Sequence, residues 1–238
     1  NLTLTHRKDL TVLVDSLSLA VSDGERLALI GEEGNGKSTL LRVLAGDPSV
    51  SDYIEVSGSF SCRGRAGYLP QDLPKDEREK RAYDFFCASP AFFDQSPKDL
   101  GQLAAQLALP ADAFYSPQRM ADFSGGERVK LQLARLLMAA PEALLLDEPT
   151  TYLDPRAALD VMRLARGLVH GQGMTGAVVI HDLPLALRFC DRLAVMDGGR
   201  IVAVGTPAEI LDQGVLEQVF DVSIARMELN GEVVYSYC

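Results

Sequence analysis

Apolar and polar residues alternate along the first part of the chain, in the runs LTLTH, TVLVDSLSLAV and ERLALIG. A period of two places apolar side chains on one face of a strand, and the intervening RKD and SDG are typical of turns. These runs therefore predict antiparallel strands joined by turns. After LALIG the pattern changes to a glycine-rich loop and the helical run KSTLLRVLAG, which predicts a strand, a loop and a helix in succession.

The middle of the chain predicts a helical insertion. The segments DYIEVSGSF and AGYLPQ have the pattern of short strands, and the segment that follows is rich in helix formers but interrupted by prolines at 74, 90, 97, 110 and 117. We expect residues 72–123 to form a helical subdomain and residues 1–71 with 124–238 to form the rest of a single domain. The aromatic stretch YDFFCASPAFF is interpreted first as the core of that subdomain.

Strands and helices alternate in the second half. In order, the pattern predicts the helix GGERVKLQLARLLMAA, the strand EALLLDE, a helix over about residues 155–169, the strand GAVVIH, the helix PLALRFC and the strand RLAVM. This alternation predicts an α/β fold with a parallel sheet whose two faces are covered. Towards the end, RLAVMDGGRIVAVG and ARMELNGEVVYSY indicate hairpins, the second of them turning at Asn230 and Gly231.

Composition and charge narrow the class of protein. Of the 238 residues 47% are apolar and 24% are charged, which is typical of globular domains. Because the apolar runs are too short to cross a bilayer and the first residues do not form a secretory leader, we expect a soluble cytoplasmic chain. The formal charge of −10 argues against a nucleic-acid partner, and the four cysteines lack the spacing of a zinc site.

The stretch GEEGNGKST, termed the phosphate loop (31–39), matches the pattern G-x-x-x-x-G-K-[ST]. Glycines let backbone amides curl around a diphosphate at the start of a helix, Lys37 adds positive charge, and Ser38 offers a hydroxyl to Mg²⁺. A carboxylate facing the phosphates would repel them, so we expect Glu32 and Glu33 to point outward. The nucleotide-binding residues predicted here are Gly31, Gly34, Asn35, Gly36, Lys37, Ser38 and Thr39.

Two acidic residues follow the apolar strand in ALLLDEPTTYLD. Ligands of an open α/β sheet bind at the carboxyl ends of its strands, so this strand end is expected beside the phosphate loop. Asp147 suits Mg²⁺, bound directly or through water. Glu148 suits a general base that orients and polarises an attacking water.

Taken together, these motifs resemble those of the ATP-binding cassette of ABC proteins. In order they are GEEGNGKST as Walker A, YLPQD as the Q-loop, FSGGER as the signature, LLLDEP as Walker B, TTYLD as the D-loop and VIHD as the switch histidine. The resemblance covers the whole chain. It implies a P-loop NTPase core with an antiparallel β subdomain, ATP and Mg²⁺ as ligands, and hydrolysis of ATP.

The resemblance also implies roles for residues that the pattern leaves ambiguous. Gln71, which alone would be a loop residue, is similar to the glutamine that meets Mg²⁺ and the attacking water. His181, alone more often structural, is similar to the histidine that contacts the γ-phosphate. Asp154 resembles the D-loop aspartate that runs along a partner cassette.

The signature stretch (123–128) adds a second anion site. By resemblance, Ser124, Gly125 and Gly126 would hold the γ-phosphate of an ATP bound to a second cassette, so the chain would form a two-fold homodimer with two composite sites. Two residues depart from the family pattern. His6 occupies the region where an aromatic residue usually stacks on adenine, and Glu127 stands where glutamine is commonest.

Two functions remain open from the sequence. The carboxyl half resembles the ATPases of importers for siderophores, haem or cobalamin, which work in pairs beneath a membrane permease. That function places the chain on the cytoplasmic face of the membrane, and YDFFCASPAFF could then contribute to the surface that receives the permease. The amino half has features of soluble ABC-F-type factors that act on the ribosome, although those normally carry two cassettes and a long charged linker.

Overall fold

The computed structural model describes residues 1–229 and 231–238. The strands, numbered in chain order, are β1 (Leu2–His6), β2 (Val12–Leu17), β3 (Arg26–Gly31), β4 (Ile54–Gly58), β5 (Ala66–Leu69), β6 (Ala143–Asp147), β7 (Thr175–Val179), β8 (Arg192–Asp197), β9 (Arg200–Gly205), β10 (Ile224–Leu229) and β11 (Glu232–Tyr237). The α-helices are α1 (Lys37–Leu44), α2 (Lys75–Arg78), α3 (Ala82–Cys87), α4 (Pro90–Phe93), α5 (Pro97–Gln106), α6 (Gly125–Met138), α7 (Pro155–Gln172), α8 (Leu183–Phe189), α9 (Pro207–Asp212) and α10 (Val215–Phe220).

A six-stranded sheet in the order β5-β6-β7-β3-β8-β9 forms the centre of the molecule. All its pairings are parallel except that of β8 with β9. Alternate residues of β3 belong to different buried clusters: Ala28 and Ile30 pack with α7 and α8, while Leu27 and Leu29 pack with α1. Both faces of the sheet are therefore covered, which confirms the α/β class predicted from the alternation of strands and helices.

The amino-terminal strands differ in part from the sequence-based expectation. β1 pairs antiparallel with β2 and with β4 in a separate sheet of order β2-β1-β4. The third run, ERLALIG, was expected to join these antiparallel strands, and that expectation was wrong because β3 lies inside the core sheet between β7 and β8. Five of its six residues are buried, as in a strand covered on both faces, so its composition is apolar rather than alternating.

Helices α2 to α5 and two 3₁₀ turns, at Ala113–Tyr115 and Met120–Asp122, occupy the predicted helical insertion. Its core contains Phe85, Phe86 and Phe114, which are fully buried. Phe85, Phe86 and Phe92 of the stretch YDFFCASPAFF are therefore core, as first interpreted, but Tyr83 and Phe93 are 44% and 67% exposed.

Two hairpins lie in the last part of the chain, with α9 and α10 between them. β8 and β9 pair antiparallel, and so do β10 and β11, as their patterns predicted. Of the predicted second turn, Asn230 lies outside the described residues. In the part of the chain that the structure describes, no helix has the length and apolar character needed to cross a membrane.

Candidate active site

The phosphate loop connects β3 to the start of α1. Gly36 has a φ of 76°, and a Cβ on it would lie 2.9 Å from the carbonyl oxygen of Leu13. Gly34 has a φ of 83° in open surroundings. Both positions therefore favour glycine, Gly34 for its left-handed backbone and Gly36 for close approach as well. Glu32 and Glu33 are exposed, in agreement with the expectation that they point outward.

Lys37 is folded back onto this loop. Its Nζ donates hydrogen bonds to the carbonyl oxygens of Gly31, at 2.8 Å, and Glu32, at 2.5 Å. The side chain is buried, and this burial lowers the pKa of Lys37, although nearby carboxylates led by Glu148 oppose the change. Among the described residues, the hydrogen-bond partners of the ammonium are thus these two backbone carbonyls, which a phosphate group can replace.

The loop is also anchored to the neighbouring strand β8. A Cβ on Gly31 would lie 2.5 Å from the carbonyl oxygen of Met196, so β3 and β8 approach closely there. Asn35 Nδ2 donates to the same carbonyl at 3.5 Å. Met196 therefore lies against the start and the middle of the loop.

Asp147 lies at the end of β6 and is 1% exposed. Its Oδ1 accepts a hydrogen bond from Ser38 Oγ at 2.8 Å, and its Oδ2 accepts one from the hydroxyl of Tyr68 at 2.8 Å. Burial raises the pKa of Asp147, and these two hydrogen bonds oppose the rise. A serine hydroxyl beside a carboxylate is the all-oxygen donor set that Mg²⁺ prefers, so Ser38 and Asp147 fit this ion.

Glu148 receives hydrogen bonds from three separate segments. Its Oε1 lies 2.7 Å from Nε2 of His181, and its Oε2 accepts from Gln71 Nε2 at 2.6 Å and from Thr151 Oγ1 at 3.0 Å. The structure thus brings together all three residues predicted to be catalytic: Glu148, Gln71 and His181.

The backbone of Glu148 is unusual. Its φ is 48°, a left-handed conformation that costs on the order of 1–3 kcal/mol in a residue other than glycine. The amide of Glu148 nevertheless donates to the carbonyl oxygen of Val179 at 3.0 Å, which fixes the turn onto β7. Such strain is typical of functional positions, and here it directs the carboxylate towards Gln71 and His181.

Ser124 caps the amino end of α6 in a reciprocal arrangement with Glu127. Ser124 Oγ donates to Glu127 Oε2 at 2.7 Å, the Ser124 amide donates to the same oxygen at 3.0 Å, and the Glu127 amide donates to Ser124 Oγ at 3.3 Å. The first two bonds hold the pKa of Glu127 below its usual value. Glu127 therefore has a definite role here: its carboxylate engages the hydroxyl that the resemblance assigns to a phosphate.

The signature stretch packs against the D-loop (150–154). A Cβ on Gly125 would lie 2.6 Å from Cδ2 of Leu153, and one on Gly126 would lie 3.3 Å from Cβ of Ala157. Asp154 caps α7, its Oδ1 accepting from the amides of Arg156 and Ala157, both at 3.0 Å. The D-loop and the first turn of α7 thus pack closely against the signature stretch of their own chain.

Ser124, Asp154 and His6 make no hydrogen bond to the phosphate loop in the described part of the chain. Nδ1 of His6 lies 3.1 Å from Oδ1 of Asp9, and the His6 ring centroid is 6.4 Å from that of Tyr53. The residues predicted to be catalytic or to bind the metal therefore lie together within one chain. The signature stretch and His6 lie apart from that cluster of contacts.

Three residues in contact with the site were missed from the sequence: Tyr68, Arg42 and Thr151. Arg42 Nε donates to the Tyr68 hydroxyl at 3.4 Å, and Tyr68 in turn donates to Asp147. A tyrosine in a buried strand needs a partner for its hydroxyl, which is the signal that could have identified Tyr68. Thr151 carries no comparable signal, because threonine is common beside strand ends.

The sequence matches known proteins over most of its length. The family model described as ABC transporter matches residues 14–151. The hemin import ATP-binding protein HmuV of Rhodopseudomonas palustris is 37% identical, covering 89% of this chain and 84% of that protein. HmuV of Bordetella pertussis is 35% identical, covering 98% of this chain and 96% of that protein.

Solved structures agree in fold. One described as an inward-facing metal-chelate type ABC transporter superposes with a TM-score of 0.77 at 19% identity and covers 100% of this chain and 96% of its own. CbiO1 from Clostridium perfringens, part of the ABC transporter complex cbiONQ, gives a TM-score of 0.67 at 23% identity. The match covers 92% of this chain and 93% of the CbiO1 chain. The protein therefore has the P-loop NTPase fold of an ABC cassette, and the chain belongs to the ABC transporter family as one of its ATPases.

Proposed function

We propose that two copies of this chain close around two ATP molecules and use their hydrolysis to drive import of a metal chelate through a membrane permease. The observation that carries the proposal is the separation of two anion sites. The phosphate loop is hydrogen-bonded through Ser38 to Asp147, the neighbour of Glu148, while Ser124 starts a different helix and makes no bond to that loop in the described residues. A second copy would bring the two halves together.

Binding of ATP begins at the phosphate loop. Backbone amides of residues 31–39 would surround the β- and γ-phosphates, and Lys37 would exchange its bonds to Gly31 and Glu32 for bonds to phosphate oxygens. Mg²⁺, held by Ser38 and Asp147 and met by Gln71, would neutralise phosphate charge. Ser124, Gly125 and Gly126 of the second copy would complete the γ-phosphate site, with Asp154 supporting them through the D-loop.

Hydrolysis then relies on Glu148. Its carboxylate would accept a hydrogen bond from water and polarise it towards the γ-phosphate, while Gln71 and His181 hold that carboxylate in place. Loss of the γ-phosphate removes the group that joins the two copies, so the dimer opens. His6 would lie beside the adenine, where it is a weaker stacking partner than tyrosine.

The importer assignment rests on the relatives. The HmuV proteins named above are described as hemin import proteins, and this chain spans more than four fifths of each of them. The charge of −10 also makes an RNA partner a poor match, which counts against the ribosomal alternative. We therefore place the chain on the cytoplasmic face of the membrane, peripheral to permease subunits, with no direct nucleic-acid contact. Residues 72–123 are proposed as the helical subdomain of this cassette.

Capture of a tagged chain from its own cells tests the partner. The proposal expects a multi-span membrane protein to copurify in detergent, and expects the complex to hydrolyse ATP faster when reconstituted with a substrate-binding protein loaded with haem. Recovery of ribosomal subunits without a membrane protein would contradict the importer assignment and favour the ribosomal function.

A further inference from the structure

We propose that Tyr68 is a positioning residue for the Mg²⁺ site: its hydroxyl fixes the orientation of the Asp147 carboxylate before the ion binds. This inference rests on the proposed function, because it concerns the Mg²⁺ site that ATP hydrolysis would use. Tyr68 lies on β5 and Asp147 on β6, two strands paired in parallel at the edge of the core sheet.

The geometry gives each oxygen of Asp147 its own donor. The Tyr68 hydroxyl donates to Oδ2 at 2.8 Å, and Ser38 Oγ donates to Oδ1 at 2.8 Å. Asp147 is 1% exposed, so water cannot readily replace either donor. Two different donors on the two oxygens fix both the position and the rotation of the carboxylate.

Arg42 extends this arrangement. Its Nε donates to the Tyr68 oxygen at 3.4 Å, so the phenol accepts one hydrogen bond while it donates another. A donor on the phenolic oxygen makes the hydroxyl a better donor in turn. Arg42 and Ser38 both belong to α1, which means that one helix reaches Asp147 directly at Oδ1 and through Tyr68 at Oδ2.

The hydrogen bond from Tyr68 to Asp147 joins the segment that carries Gln71 to the segment that carries Asp147 and Glu148. Tyr68 stands three residues before Gln71, and Gln71 donates to Glu148, the neighbour of Asp147. Removing the Tyr68 hydroxyl would leave Oδ2 buried without a donor and free the carboxylate to rotate. Binding Mg²⁺ would then require ordering of that carboxylate, so the affinity for the ion should fall while contacts to the nucleotide stay intact.

Tyr68→Phe tests this inference, with Tyr115→Phe as the matched control. Tyr115 is 51% exposed in the helical insertion, away from the metal site. Binding of a fluorescent ATP analogue is measured first in EDTA and then during a Mg²⁺ titration, and bound Mn²⁺ is counted by electron paramagnetic resonance. We expect Tyr68→Phe to keep the affinity in EDTA within about twofold and to raise the half-saturating metal concentration about tenfold, the effect of one hydrogen bond to a charged group.

The outcomes separate the inference from the proposed function. Superimposable metal titrations for wild type and Tyr68→Phe would overturn the role of Tyr68, whereas a wild type that binds nucleotide without any metal dependence would overturn the metal site itself. Arg42→Gln provides a second route if Tyr68→Phe folds poorly. It should shift the titration in the same direction by a smaller factor, and it should add nothing to Tyr68→Phe in the double variant, because both act through the phenol. Full additivity would contradict the proposal.

Discussion

The carboxylate of Glu148 lies 2.7 Å from Nε2 of His181, although 33 residues separate the two along the chain. The other carboxylate oxygen accepts a hydrogen bond from Gln71, which reaches it from the opposite side of β6 in the sheet order. One side chain is therefore held by segments that follow three neighbouring strands. Loss of Gln71 or His181 should disturb the orientation of this carboxylate, and it should have a smaller effect on the affinity for ATP.

His181→Ala should lower kcat for ATP hydrolysis about a hundredfold, within the range of a misplaced general base, and should leave the affinity for ATP within about twofold. Steady-state ATPase measurements and equilibrium binding separate the two effects. His170→Ala, at an exposed position on α7, serves as the control and should behave as wild type. A His181→Ala protein with normal kcat would show that Glu148 is held adequately without the imidazole.

Lys37→Ala should reduce ATP affinity at least about a hundredfold, because two or more charge-assisted hydrogen bonds to phosphate are lost. The side chain is buried and its ammonium donates to two loop carbonyls, so thermal unfolding should confirm that the fold survives. Lys98→Ala, on the exposed surface of α5, is the control. Undiminished ATP binding by Lys37→Ala would refute the assignment of the phosphate loop.

Glu127→Gln should favour closure of the dimer. The Glu127 carboxylate accepts the Ser124 hydroxyl at 2.7 Å, so it competes with an incoming γ-phosphate for that donor and also repels it. Glutamine keeps an acceptor for the cap but removes the charge. In a protein that also carries Glu148→Gln, the ATP concentration for half-maximal dimerisation should fall about tenfold, equal to about 1.4 kcal/mol.

The chain offers a matched control for this change. Glu209 makes the same reciprocal cap with Thr206 at the start of α9, and neither residue is among the predicted phosphate contacts. Glu209→Gln should leave the ATP dependence of dimerisation unchanged. An equal shift in both variants, or a higher ATP requirement in Glu127→Gln, would contradict the competition described here.

Asp191 stabilises the fold in a pH-dependent way. The Arg26 side chain donates to both of its oxygens, at 2.9 and 2.5 Å, and these bonds hold the pKa of Asp191 below its ordinary value. Because the pKa is lower in the folded chain, this stabilisation is present above the unfolded pKa and is lost as pH falls through the folded value. Asp191→Asn should therefore lower the free energy of unfolding by about 1 kcal/mol at pH 7, after allowance for solvent screening.

Chemical denaturation across a pH series measures this difference. It should shrink progressively below about pH 4, where the unfolded carboxyl becomes protonated. Asp160→Asn removes an exposed pair with Arg163 and should have a much smaller effect at pH 7. A constant difference from pH 7 to pH 3 would mean that charge on Asp191 is not the cause.

The sequence was sufficient for the α/β class and for β6 to β8 and α6 to α8, because each of these strands is an apolar run and each of these helices begins at a side-chain cap. Helices α9 and α10 were not predicted. It assigned β3 to the wrong sheet, since a local pattern shows that a strand is buried but not which strands pair with it. Tyr68 and Thr151 were missed for a related reason. Asp147 is brought to Tyr68 by the pairing of β5 with β6, and Glu148 is brought to Thr151 by the turn with positive φ at Glu148. No local pattern indicates either feature.

The proposed sandwich is tested most directly by the oligomeric state of Glu148→Gln. With ATP and Mg²⁺, light scattering coupled to gel filtration should give twice the mass of the 25.8 kDa chain, because ATP stays intact and joins the two copies. The same variant with ADP, and the double variant with Lys37→Ala, should remain monomeric. A Glu148→Gln protein that binds ATP yet stays monomeric at every protein concentration tested would contradict the account.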